Sequence, residues 1–505
     1  MDPVLKQLAT IGVVILLFSG LGLFLYVRSG GKPDGEGPDG KLPIYDMPPN
    51  VPVTTLGNDN NEPSIAISPI DPMTMVAGSN DYNTPVSDAW PGYYTTHDGG
   101  ETWSESLIPG YPEDDDITQL SGFAGGGDPV LVAGNDGVFY YAGIAFERSR
   151  NPLNPIGFGI VPGLDNCVFV ARSTDNGDNF DQVVVVWTAL QSLVRFNDKE
   201  WIAVDPNNSD NVYMVWAIFY GMVTSKLMWS ASHDGGVTWS LAGTISETTS
   251  GEFSIQGSAV SVDNDGIVHA TWIDFGSNQI RYAKSTNLGD SFSNPINVAP
   301  IDPIPRYLEN GNYRTPTMTM LDVDQTENDT SGNLYVTWAD ISLGDSDVFL
   351  AYSHDNGDSW TGPIRVNNDN ASNGIDQFFP AVSVSEEGWV HVTFYDRRND
   401  ANNTLLEYWW AVSFDGGVTF PVNLPLSDVQ CNGDFSREGD RDFIGDYTGV
   451  DTFNGTLACV WCDTREGSES DGDTEIYAEI FRYKEYLASL GLEFEISSIE
   501  DREEE

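Results

Sequence analysis

Between residues 51 and 482 the chain alternates apolar and polar positions in short runs, the period of two that turns one face of a β-strand toward a core. The clearest set is Ala259–Asp263 (AVSVD), Ile267–Asp274 (IVHATWID) and Gln279–Lys284 (QIRYAK), then a turn and a fourth run at Ser293–Ala299. The same order can be read in six consecutive stretches. Three more runs follow, near Asp446–Asp451, Leu457–Asp463 and Glu475–Phe481, with no fourth behind them. The missing run stands at the other end of the chain, Val51–Leu56 (VPVTTL). It precedes Asn61-Glu-Pro-Ser-Ile-Ala-Ile much as Pro363-Ile-Arg-Val precedes Gln377-Phe-Phe-Pro-Ala-Val. The pattern predicts seven four-stranded sheets, the last completed by an N-terminal strand, an arrangement that removes a free sheet edge.

Leu8–Val27 departs from this alternation. It is a nearly unbroken apolar run between Lys6 and Arg28, long enough to cross a bilayer as one helix. The alternative is a cleaved signal peptide, although no A-x-A-like site follows the run. Residues 1–28 are therefore read as a transmembrane anchor or signal segment and 29–50 as a Gly/Pro/Asp linker. Residues 51–482 form the body and 483–505 an acidic tail.

Between the third and fourth runs an eight-residue turn recurs, Ser/Thr-x-Asp-x-Gly-x-Thr/Ser-aromatic. Four copies are close to one another: Thr96-His-Asp98-Gly-Gly100-Glu-Thr102-Trp103, Ser232 to Trp239 around Asp234, Ser353 to Trp360 around Asp355, and Ser413 to Phe420 around Asp415. Two are looser, Ser173 to Phe180 around Asp175 and Ser285 to Phe292 around Asn287. In each, the Asp side chain can accept backbone N–H groups further along, Gly supplies a positive φ, and the aromatic packs beneath the turn. These turns resemble the Asp boxes of the sialidase-like (BNR repeat) β-propellers, and the resemblance covers roughly residues 51–482. It implies a ring of radial blades in which the boxes lie away from the functional face. Asp98, Asp175, Asp234, Asn287, Asp355 and Asp415 are then structural. The expected fold is an all-β, seven-bladed Asp-box propeller closed by an N-terminal strand and preceded by one transmembrane helix. Sialidases have six blades, so the seventh is a departure from the family pattern.

Charge narrows the functional classes. With 76 acidic and 23 basic side chains the formal charge is −53, which excludes nucleic-acid binding through phosphate neutralisation and disfavours an anionic membrane surface as partner. An acidic, lysine-poor surface suits high salt or divalent cations. Calcium is the only cofactor considered, through the acidic loops Glu113–Asp116 and Asp345-Ser-Asp347. Four cysteines are too few to be the main staple. Cys459 and Cys462 sit on one strand at i and i+3 and so point to opposite faces, which argues against metal or redox chemistry, while a bridge from Cys431 to either stays open. Sequons at Asn328, Asn402 and Asn454 are consistent with export.

The repeat also offers an internal control: what recurs in many blades is scaffold, and what departs is a candidate for function. Trp272-Ile-Asp274, Trp338-Ala-Asp340, Tyr395-Asp396 and Trp461-Cys-Asp463 recur, and their Asp residues are expected to cap turns. The departures on the rim where first strands begin and second strands end are Arg314, Arg397, Arg398 and Arg465, with Glu200 and Tyr447. Arginine is the fork that grips a carboxylate through two bonds. By the family resemblance, Arg314, Arg397, Arg398 and Arg465 are candidates for binding an acidic sugar, Tyr447 with Glu200 for a nucleophile pair, and Asp446 or Asp128 for the acid/base. The first-blade Arg-Ile-Pro of sialidases is absent, with Glu62-Pro63 near that point.

Three functions follow from the same rim. A membrane-anchored extracellular glycoside hydrolase requires arginines converging on one point, with Tyr447 beside a carboxylate. A non-catalytic propeller that binds an extracellular glycan or a surface protein requires arginines spread around the ring, each on its own Asp or Glu. A structural module requires a plugged channel. In each case the protein is placed at the cell membrane with the propeller outside, or secreted if the N-terminal segment is cleaved.

Overall fold

The computed structural model describes residues 27–29 and 49–494, apart from 55–58, 84–88, 113, 148–165, 190–194, 221–223, 247–248, 251–253, 437–441 and 470–471. The apolar run up to residue 26 and most of the linker lie outside the described residues. Among the described residues no helix is long and apolar enough to cross a membrane. The chain forms two units, one of Pro48–Ile480 and one of Met1–Met47 with Phe481–Glu505. The second contains a short antiparallel pair, Val27–Ser29 with Leu492–Phe494, and the helix Tyr483–Ser489.

Pro48–Ile480 is the propeller. Seven antiparallel sheets follow one another along the chain, beginning with first strands Asn60–Ile67, Gly125–Ala133, Arg195–Asp205, Ile255–Val262, Met320–Val323, Gln377–Val384 and Gly449–Phe453. Each first strand packs against the first strand of the next blade, and that of the seventh blade against that of the first, so the ring is closed. The seventh sheet has the order Val51–Pro52, Glu475–Arg482, Thr456–Asp463, Gly449–Phe453. Its outermost strand is the N-terminal one expected from the alternation pattern.

That closing strand contributes only two paired residues, Val51 opposite Ala478 and Pro52 opposite Tyr477, and side chains do the rest. Asn50 donates to a Glu479 carboxylate oxygen at 2.7 Å and to the Leu426 carbonyl at 3.0 Å, while its own oxygen accepts the Asp428 N–H at 2.8 Å. Thr54 donates to the Glu475 carboxylate and accepts the Ile476 N–H at 2.9 Å.

The box turns have the expected chemistry. Asp98 accepts the Thr102 N–H at 2.9 Å and the Thr102 hydroxyl at 2.6 Å, and the Thr96 hydroxyl accepts the Gly100 N–H at 3.0 Å. Gly100 has φ +92°. The hydrogen bonds from Thr102 hold the Asp98 carboxyl down at about 2. The same bonds recur at Asp234, Asp355 and Asp415, and at Asp175 the Asn179 side-chain amide takes the place of the hydroxyl. At Asn287 an amide replaces the carboxylate, accepting the Ser291 N–H at 3.1 Å and donating to its hydroxyl at 3.0 Å. The second-strand Asp residues are turn caps: Asp340 and Asp463 accept N–H groups two residues on, at 2.9 and 2.8 Å, and also take the indole N–H of Trp338 and Trp461. All four cysteines are buried free thiols, so no bridge joins Cys431 to Cys459 or Cys462.

Two outcomes are expected. Asp234→Ala or Asp355→Ala should cost about 1–2 kcal/mol in chemical denaturation, the scale of a lost charge-assisted turn cap. Burial pushes the Glu479 carboxyl up to about 7, against the bond from Asn50. A folded-state value above the unfolded one adds stability that is complete at acidic pH and is lost as pH rises through about 7. The unfolding temperature should therefore fall between pH 5 and pH 8, and Glu479→Gln should flatten part of that slope. An unchanged slope in the variant would show Glu479 to be ionised throughout.

Candidate functional site

Five of the first strands carry a β-bulge at the same place, where register slips between Asn61 and Ser64, Gly127 and Val130, Asp198 and Trp201, Gln256 and Ala259, and Phe378 and Ala381. The residue two before the resumption of pairing has positive φ in all five: Glu62, Asp128, Lys199, Gly257 and Phe379, with φ between +48° and +64°. Four of these are not glycine, and such backbone costs of order 1 kcal/mol or more each. Tyr447 stands at the same place in blade seven, two residues before Gly449, and Met318 in blade five, two before Met320. The rim of the channel is thus unequal. Blades seven, one, two and three contribute Tyr447, Glu62, Asp128 and Lys199, whereas blades four to six contribute Gly257, Met318 and Phe379.

Lys199 is the centre of the charged half. It is buried, and its ammonium lies 3.5 Å from the centroid of the Tyr447 ring and 4.4 Å from that of Trp201. Its nitrogen has no hydrogen-bond acceptor among the described residues. Burial pulls the Lys199 amine down from its ordinary value, and the charges of Asp128, Glu62, Glu200 and Asp446 oppose that pull. Arg314 arrives from the long segment before blade five and forks onto Asp446 at 2.6 and 2.7 Å, with Glu62 3.9 Å from the same guanidinium. The Phe443 ring lies 4.5 Å from the guanidinium carbon. Asn80 ties the group together, donating to Glu62 at 2.8 Å and accepting the Asp128 N–H at 2.8 Å.

The carboxyls share the consequences of burial in one another's company. Glu62 is pushed well above its usual range by burial and then by Asp128 and Asp446, against Arg314 and Asn80. Asp198 is pushed up to about 7 by burial and then by Asp128, with the Gln256 amide at 2.8 Å opposing. Glu200 is fully buried and raised well above its range by burial and then Asp128. Its place in the repeat is filled differently from blade to blade. In blades four, five and seven the corresponding residues are Ser258, Thr319 and Thr448, whose hydroxyls donate to the bulge carbonyls of Lys199, Gly257 and Phe379 in the preceding blade. Blades one, two and six have proline there, Pro63, Pro129 and Pro380, and in blade three the Glu200 carboxyl has no hydrogen-bond partner among the described residues.

The structure thus brings Arg314, Asp128, Glu200, Asp446 and Tyr447 together, but around a lysine, and the Tyr447 hydroxyl donates to the Pro129 carbonyl at 3.2 Å. Burial and then Glu62 push that phenol well above its ordinary value. The other arginines are held elsewhere. Arg397 is buried against Asp376 at 3.3 Å and bonded to the Tyr313 hydroxyl. Arg398 holds Asp396 at 2.6 Å and lies 4.0 Å from the Trp409 ring centroid. Arg465 holds Asp463 and Asp428, each at 2.7 Å, and lies 4.0 Å from the Tyr477 ring centroid. Arg398 and Arg465 are equivalent residues of adjacent blades, so they belong to the scaffold of corners. Lys199 and Asp198 were missed from the sequence, and Glu62 was noted there without a role. The signal was present: Lys199 occupies the register position of Glu62 and Asp128.

The acidic loops considered for calcium are internally bonded. Asp114 accepts the Gly110 N–H at 2.7 Å, Asp345 the Gly374 N–H at 2.6 Å, and Asp347 pairs with Arg365 at 2.6 Å, while Glu113 lies outside the described residues. Among the described residues no three His, Cys, Asp or Glu side chains are grouped to hold a metal ion.

The propeller carries an Asp-box repeat. A family model described as BNR/Asp-box repeat matches residues 94–105, the first of the six turns. No curated protein matches the chain. Among solved structures it is similar to the NanB sialidase from Streptococcus pneumoniae, at 12% identity over 70% of this chain and 68% of that one, TM-score 0.45. It is similar also to an intramolecular trans-sialidase from Ruminococcus gnavus, at 11% identity over 85% and 95%, TM-score 0.41. A third is an ulvan lyase of a polysaccharide lyase family, at 13% identity over 83% and 94%, TM-score 0.45. No residue role is carried over from them to this propeller.

The state of Glu200 can be tested directly. Glu200→Gln keeps the shape and supplies a donor, so it should cost less than about 1 kcal/mol at pH 7, whereas Lys199→Met should cost about 3 kcal/mol by leaving buried carboxylates without their counter-charge. Chemical denaturation of both variants reads the difference. A large loss in Glu200→Gln would mean an ionised carboxylate.

Proposed function

We propose that the propeller is a non-hydrolytic glycan-binding module, held at the outer face of a cell membrane by its N-terminal apolar segment. Its ligand is recognised at the charged half of the rim through sugar hydroxyls rather than through a carboxylate. The observation that carries this reading is the disposition of the arginines. Gripping an acidic sugar requires guanidinium forks free to turn toward the ligand, and Arg314, Arg397, Arg398 and Arg465 are each held by a carboxylate of the protein itself. A phenol nucleophile requires a base within hydrogen-bond reach, and the Tyr447 hydroxyl is instead directed to a backbone carbonyl. What the rim offers to solvent is the half-exposed Arg314 guanidinium with the Asp446 carboxylate it grips, a polar pair that suits sugar hydroxyls. The expectation of an acidic-sugar hydrolase is the weaker reading on the same grounds.

The test uses the full chain. No turnover of a fluorogenic sialoside is expected, together with retention on immobilised neutral glycans that falls at least tenfold in the double variant Glu62→Gln/Asp446→Asn. Turnover that disappears in Tyr447→Phe would overturn the reading in favour of hydrolysis. On the same reading the full chain stays with membranes through an alkaline wash, and release into the wash would remove the anchor.

A further inference from the structure

Arg314 reaches the rim from a hairpin loop. The connection from the fourth strand of blade four, Ile296–Pro300, to the first strand of blade five, Met320–Val323, doubles back on itself, and its arms meet at an antiparallel bridge between Tyr307 and Arg314. Just outside that bridge the Arg306 carbonyl accepts the Thr315 N–H at 3.1 Å, and Asn310 turns the tip with φ +62°. Long connections without regular structure are commonly the ones that carry function.

The hairpin has two faces. Leu308 and Tyr313, the next residues in from the bridge on each arm, are buried, and the Tyr313 ring packs 6.2 Å from that of Phe378. The loop is pinned from below: Arg397 donates to the Glu309 carbonyl at 3.1 Å and to the Tyr313 hydroxyl, and Asn310 donates to the Asn402 carbonyl at 3.1 Å. The Asp434 carboxylate accepts the Asn312 N–H at 2.7 Å. The other face is open. Residues directly opposite across an antiparallel bridge point the same way, with Cβ atoms about 5 Å apart, so Tyr307 stands beside Arg314. Tyr307 is 42% exposed and the Arg314 side chain equally so. The Arg306 guanidinium, 5.6 Å from the Tyr307 ring centroid, steadies the ring.

A lone tyrosine in water is ordinary on a protein surface. The company of Tyr307 is what distinguishes it. Its ring is held by a loop already ordered through buried contacts, so a ligand would meet it with little further loss of freedom. Its neighbour is the guanidinium and carboxylate pair of Arg314 and Asp446. A neutral pyranose has two kinds of surface, a ring face of C–H bonds and an edge of hydroxyls. The tyrosine ring matches the first and the ion pair, as donors and acceptors, the second. An anionic ligand fits less well, because Arg314 is neutralised by Asp446 at 2.6 Å and has Glu62 at 3.9 Å.

We propose that Tyr307 is the stacking platform for one neutral hexopyranose ring of the bound glycan, whose edge hydroxyls meet Arg314 and Asp446. This rests on the glycan-binding reading of the rim and adds to it the face of the sugar that is bound.

The test is retention of the full chain on three immobilised neutral oligosaccharides, cellohexaose, β-1,4-galactohexaose and β-1,4-mannohexaose, with free sorbitol as a ringless competitor. Wild type should be retained on at least one. Retention should fall about tenfold in Tyr307→Ala, the scale of one stacked ring, and stay within about threefold of wild type in Tyr307→Phe. Sorbitol should not compete, and neither variant should shift the unfolding temperature, because the side chain is exposed. Wild type retained on none of the three would overturn the glycan reading, and the platform would fall with it. Retention lost in Glu62→Gln/Asp446→Asn but kept in Tyr307→Ala would leave that reading standing and overturn the platform alone. Equal losses in Tyr307→Phe and Tyr307→Ala would assign the contact to the phenol hydroxyl and overturn stacking.

Discussion

A propeller is a sheet structure with no natural end, and every other feature of this molecule depends on how the ring is shut. Here the last sheet borrows its outer strand from the opposite end of the chain, so that Val51–Pro52 lies beside Glu475–Arg482. Two residues of strand pairing are a thin fastening. The load passes to Asn50 and Thr54, which bind Glu479 and Glu475 from a sequence distance of more than 400 residues. Only when that contact is made do seven first strands surround one axis. The rim cluster, which draws on residues of blades one, two, three and seven, then exists.

The closed ring concentrates charge where a chain this acidic can least disperse it. On the outer surface the carboxylates face water and cost little. At the axis the bulges of blades one to three and the start of blade seven turn Glu62, Asp128, Lys199 and Tyr447 inward from four sides. One lysine and one arginine serve five carboxyls there, Glu62, Asp128, Asp198, Glu200 and Asp446, and burial raises the hold of Glu62, Asp198 and Glu200 on a proton. The same economy governs the corners of the blades, where Arg398 and Arg465 are consumed by neighbouring Asp residues. An acidic propeller keeps few arginines free for a ligand, and this bears on function more directly than the fold does.

The local patterns were readable because their causes are local. Alternation along Ile267–Asp274 sets a strand, and Asp355 with Gly357 sets a turn whose bonds close within four residues. Counting such units gave seven sheets, and the shortage of one strand near Glu475 pointed to the spare run at Val51. The internal control worked for the Trp-x-Asp corners, which are caps, but it misjudged Arg398 and Arg465. These looked like departures because their Asp partners were read separately from them. Lys199 went unremarked for the opposite reason: without the bulge register, nothing marked it as the counterpart of Glu62 and Asp128.

By itself, then, the order of residues settled the strands, the turns and the number of blades, since each is decided by interactions among near neighbours in the chain. Which charges would meet was decided only by the closed ring. Arg314 reaches Asp446 across 132 residues, and Lys199 settles on Tyr447 from the far side of the sequence. The raised proton affinities of Glu62, Asp198 and Glu200 arise from burial. Burial belongs to the assembled ring and to no segment of it.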